Sequence, residues 1–69
     1  KSFADMLSAM EGGITPKPGT SKTFRKVPKK AIIDAYGYVP RAVSGERTTI
    51  VFLCKDDVDS CDVTVFWHE

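Results

Sequence analysis

The most regular alternation of apolar and polar positions lies at the end of the chain. Thr48 to Cys54 and Cys61 to His68 follow a period of two around an acidic turn, Lys55 to Ser60. Such alternation predicts the two strands of a hairpin. When Cys54 is set against Cys61, Phe52 falls opposite Val63, Ile50 opposite Val65 and Thr48 opposite Trp67. These side chains then share one face, because successive strand residues point to opposite sides. A slip of one residue scatters the set, so the pattern selects this register. The other face is mixed: Thr49, Val51, Leu53, Asp62, Thr64, Phe66 and His68. Val51, Leu53 and Phe66 on it predict a second cover or an interface.

Ahead of the hairpin the period changes. Phe3, Met6, Leu7 and Met10 recur at i, i+3, i+4 and i+7, which predicts a short amphipathic helix from Ser2 to Glu11. Ser2 with Asp5 makes a capping-box-like start, and Gly12 and Gly13 supply a stop. So short a helix is marginal alone in water and must dock, either on its own sheet or in a partner's groove. A second helix is expected over Pro28 to Tyr36, with Pro28 at its start and Gly37 at its end. The rival is a strand over Ala31 to Val39, rich in strand-favouring Ile32, Ile33, Tyr36, Tyr38 and Val39. The Pro and Gly punctuation favours the helix. Tyr38 to Val43 can supply a third strand that turns through Ser44 and Gly45 into the hairpin.

Between these elements, Pro16, Pro18, Gly19, Thr20 and Ser21 break both periods. Residues 14–27 therefore read as a flexible basic linker, with a brief extended segment around Thr23 to Val27. The expected architecture is a single small domain over residues 1–69. It is α+β: two short helices packed on a small antiparallel sheet of two or three strands ending in a C-terminal β-hairpin. Residues 1–13 hold the first helix, and 28–69 the second helix and the hairpin.

Composition adds limits. A chain of 69 residues buries only about 60% of the surface its unfolded form exposes. There is little room for a substrate, a catalytic group and an oxyanion site together. No apolar run approaches the roughly 20 residues that span a bilayer, so no membrane association is expected. Lys1 to Gly13 lacks a continuous apolar run, so no signal peptide is expected. A first residue of Lys fits a trimmed or processed chain.

Charge is nearly balanced, with ten basic and nine acidic residues, but it is unevenly placed. Between Glu11 and Asp34 there are six bases and no acid. From Glu46 onward there are six acids and two bases. Halves of opposite sign attract, within one molecule or between copies. The basic run also fits a phosphate contact by Lys22, Arg25, Lys26, Lys29, Lys30 and Arg41.

Candidate chemistry is sparse. Cys54 and Cys61 can form a cross-strand disulfide or remain buried thiols. Thiols are the expectation here, together with a reducing, cytoplasmic setting. The Cys-x6-Cys spacing is wide for zinc, and His68, the single histidine, lies on the opposite strand face. That placement also disfavours a Cys–His nucleophile pair. Asp56, Asp57, Asp59 and Asp62 alternate somewhat as calcium ligands do, but without the central Gly and distal Glu of such a loop. A solvated turn accounts for them. Tyr36, Tyr38, Phe52, Phe66 and Trp67 could stack bases, but three of them lie in the acidic hairpin.

These features point to non-enzymatic recognition of a macromolecule, with no metal, cofactor or small-molecule substrate. A protein partner, as for an inhibitor, accessory or assembly subunit, or a second copy in a homodimer, is expected on Phe3, Met6, Leu7, Met10, Val51, Leu53 and Phe66. The alternative is a nucleic-acid-binding module using the basic segment.

Overall fold

A computed structural model describes residues 3–10, 12 and 16–69. Along the chain run α1 (Phe3–Met10), β1 (Ser21–Pro28), α2 (Lys29–Tyr36), β2 (Ala42–Ser44), β3 (Thr48–Cys54) and β4 (Ser60–Trp67). The strands form one antiparallel sheet in the order β1-β4-β3-β2. The α+β class and the C-terminal hairpin agree with the sequence pattern. The β3–β4 register is the one selected by alternation, from Thr48 opposite Trp67 to Cys54 opposite Cys61. The sheet is larger than expected, with four strands.

The additional strand is β1; the brief extended segment expected around Thr23 to Val27 within the linker is a longer, paired strand over Ser21–Pro28. Its pairing runs from Ser21 opposite Phe66 to Pro28 opposite Ser60. The chain joins the sheet even earlier, where the Gly19 N–H donates to the Trp67 carbonyl at 2.7 Å. Gly19 has φ 84°, and a Cβ there would lie 2.8 Å from a Glu69 carboxylate oxygen. The positive φ would strain a side chain here, while the exposed Glu69 carboxylate could swing aside. The strand bulges between Phe24 and Val27, and Lys26 takes the left-handed conformation with φ 57°. The bulge places Phe24 and Val27 on the same inner face although they are three residues apart.

Both helices cover that inner face. Phe3, Ala4 and Leu7 of α1 and Ile32 of α2 pack with Phe24, Val27, Ile50, Phe52, Cys61, Val63 and Val65 in one buried core. Phe3, Tyr36 and Phe52 form an aromatic triad, with ring centroids 5.4, 5.8 and 6.1 Å apart. Burial of Tyr36 raises its phenol pKa above the ordinary value. Helix α2 joins β1 at one edge of the sheet to β2 at the other. Pro28 is its N-cap, one position ahead of the expected role, and Gly37 ends it at φ 83° with its N–H on the Ile33 carbonyl at 2.6 Å.

The α1 stripe is rotated from the expected one. Ala4 joins Phe3 and Leu7 in the core, while Met6 and Met10 are exposed. Gly12 follows at φ 111°. The proposed Ser2 cap and Gly13 stop lie outside the described residues. The third strand is shorter and later than expected, at Ala42–Ser44 instead of Tyr38 to Val43. The expectation of free thiols is also corrected: Cys54 and Cys61 are joined by a disulfide, with their Cα atoms 4.4 Å apart. Opposed positions in a hairpin bring two cysteines within bonding range without backbone movement. None of the described helices is long and apolar enough to cross a membrane.

Candidate functional site

Strand alternation and the placement of both helices define the site. With α1 and α2 on the inner face, no helix among the described residues covers the outer face of the sheet. Its central positions come from β3 and β4. Phe66 stands between Ser21 of β1 and Thr49 of β3. Val51 stands between Thr64 of β4 and Ala42 of β2. Leu53 stands opposite Asp62. Leu53 is 66% exposed and Phe66 43%, while Val51 is half-buried among its neighbours. An antiparallel sheet with one face in water normally carries polar side chains there. Three apolar residues on this face make it a candidate contact surface.

Polar groups alternate with the apolar positions on β3 and β4, and several are bonded to polar neighbours. The Thr23 and Thr64 hydroxyls are 3.0 Å apart. The Thr49 hydroxyl is 2.8 Å from His68 Nε2. Arg25 pairs with Asp62 at 3.5 Å. Each apolar residue that the two central strands place on this face thus stands opposite a polar one, Phe66 opposite Thr49, Val51 opposite Thr64 and Leu53 opposite Asp62, which makes the face mixed.

The structure divides the other predicted contact residues. Phe3 and Leu7 belong to the chain's own core, so they are not part of a free surface. Met6 and Met10 remain exposed on α1, away from the outer sheet face. Of the candidate phosphate contacts, five lie on β1 and the start of α2, and Arg41 stands apart from them. Lys22, Arg25 and Lys26 lie on edge strand β1, with Lys22 Nζ 5.4 Å from the Phe24 ring centroid. Lys29 and Lys30 open α2, and the Lys29 ammonium donates to the Lys55 carbonyl at 2.6 Å. Arg41 sits beside β2 at the opposite edge. Among the described residues, no three His, Cys, Asp or Glu side chains are grouped to hold a metal ion.

One feature was not visible in the sequence. A cavity of about 570 Å³ opens at one end of the sheet, lined by Asp5, Pro16, Pro18, Trp67, His68 and the β2–β3 turn. Its walls come from segments far apart in the chain, so no local motif could announce it. Its charged lining is of both signs, Asp5 and Glu46 against Arg47, and selects no ligand class. Comparison of the chain with protein-family models, curated proteins and solved structures gives no match.

Proposed function

We propose that this chain is a non-enzymatic protein-recognition module whose contact surface is the outer face of the sheet. The observation that carries this reading is the arrangement of layers. Both helices are used on the inner face, and Val51, Leu53 and Phe66 stand on the outer one. Exposed aromatic and aliphatic side chains among polar neighbours supply contact energy when a partner removes them from water. The partner is a protein with an apolar patch of its own, since the centre of the face offers no array of cations for phosphate. The disulfide supports an oxidising compartment in place of the cytoplasmic one suggested by the sequence.

The test compares the wild-type chain with a Leu53→Asp/Phe66→Asp double variant, both confirmed folded by circular dichroism. Each is immobilised and exposed to extract from its source cells, with and without nuclease. A protein that is retained directly by the wild type, survives nuclease and is lost with the double variant supports the reading. Retention that nuclease abolishes and the double variant leaves intact would favour the basic segment and nucleic acid. No specific retention, or equal protein retention by both chains, would overturn the proposal.

A further inference from the structure

Two exposed features of the chain match each other in size and charge. The first is a groove of about 120 Å³ between α1 and β1, walled by Leu7, Met10, Phe24 and Val27, with Arg25 and Lys26 also lining it. Leu7, Phe24 and Val27 form a buried apolar floor, and Met10 is an exposed flank. No carboxylate lines the groove among the described residues. The second feature is the β3–β4 turn. Asp56, Asp57, Val58 and Asp59 are all exposed there. Val58, 41% exposed, is thus an apolar side chain among three carboxylates.

The turn is fastened at its base. The Val58 N–H donates to the Lys55 carbonyl at 3.3 Å, and the Lys29 N–H to the Asp59 carbonyl at 2.8 Å. Lys29 Nζ also holds the Lys55 carbonyl. None of the turn residues lines the groove within the chain. Turn and groove nevertheless adjoin the same end of β1, where Val27 pairs with Cys61 and Pro28 with Ser60. Neighbouring complementary sites suit a two-fold arrangement, in which each copy gives its turn and receives its partner's.

We propose that the chain forms a reciprocal dimer in which the β3–β4 turn of each copy docks in the α1–β1 groove of the other. Val58 enters the apolar groove, and the aspartates meet Lys26 at its rim, beside Arg25, which Asp62 pairs within the chain. A short β-branched side chain suits a groove of this size, and opposite charges fix its orientation. Two such contacts reinforce each other because forming one raises the effective concentration for the second. The surfaces share only Arg25 with the outer sheet face, and none of Val51, Leu53 and Phe66 lines the groove or belongs to the turn, so this inference stands independently of the reading above.

Sedimentation of the full chain tests it through a charge exchange. The wild type is expected to dimerise at low ionic strength and to dissociate as salt rises. Lys26→Glu and Asp57→Lys should each weaken self-association by roughly tenfold or more, because each sets like charges together in both contacts. An equimolar mixture of the two variants should restore a dimer, since both contacts then pair opposite charges. Val58→Ser should weaken the dimer without changing any charge, and Leu53→Asp should leave it intact. Circular dichroism checks that every variant is folded. A wild type that stays monomeric at low salt would overturn the proposal. So would single variants that associate as the wild type does, a mixture that stays monomeric, or loss of the dimer with Leu53→Asp.

Discussion

The Asp62 carboxylate of β4 accepts the backbone N–H of Lys26 at 3.3 Å, directly across from the bulge in β1. The same carboxylate pairs with Arg25. A side chain thus serves a backbone group that the bulge removes from the regular ladder. Asp62→Ala should cost about 1 kcal/mol, mainly through the lost acceptor, because an exposed ion pair contributes little. Lys26→Gly should stabilise by about 0.5–1 kcal/mol, since Gly adopts positive φ without the Cβ clash. Denaturant melts of the two variants check both signs. A stabilised Asp62→Ala or a destabilised Lys26→Gly would contradict this account of the bulge.

The two faces of β4 should respond differently to charge. Val65 is fully buried on the inner face. Val65→Asp should therefore remove more than about 4 kcal/mol or unfold the domain, because the carboxylate has no partner there. Thr64 lies on the outer face and shares a hydrogen bond with Thr23. Thr64→Asp should cost about 1 kcal/mol. Thermal melts distinguish these outcomes, and equal damage from both would mean that the faces are wrongly assigned.

The legibility of these elements in the sequence depended on the regularity of their periods. Strands β3 and β4 have no bulge between Thr48 and Trp67, so alternation specified every pair. Strand β1 hides its period. Its inner residues Phe24 and Val27 are three apart because Arg25 and Lys26 share the place of one residue. The remaining positions are polar or basic, and Pro16, Pro18 and Gly19 precede them, so the stretch resembles a linker. Helix α1 was legible as amphipathic but not in its rotation. Ala4 is too small to signal burial, whereas Met6 and Met10 are large enough to suggest it. The outer face was legible at Val51, Leu53 and Phe66. Whether a helix would cover it depended on tertiary packing that no local pattern specifies.

The disulfide closes a short loop within an already paired hairpin. Reducing it should lower stability by about 2 kcal/mol and leave the sheet register unchanged. Intact mass before reduction should be lower than that of the reduced chain by two hydrogens. Native thiols that react with an alkylating reagent before any reductant is added would contradict this.

Burial of Tyr36 adds a pH-dependent contribution to stability at alkaline pH. Its folded pKa is raised by burial above the ordinary 10.0, so the native state holds this proton more tightly than the unfolded chain does. The associated stability is present in full below pH 10.0 and is lost as pH rises through the folded value. Tyr36→Phe should therefore lose less stability than the wild type over that range. Melts of the two chains across the alkaline window check this difference, and parallel curves would exclude the contribution of Tyr36.

The proposed function places the contact with a protein other than a second copy on the outer sheet face. Site-specific photo-crosslinking in the source cells tests it most directly. A benzoylphenylalanine replaces Phe66 in one chain and the exposed Ile33 of α2 in another. A covalent adduct with a discrete protein is expected from position 66, and none of that adduct from position 33. No protein adduct from position 66, or the same adduct from both positions, would contradict it.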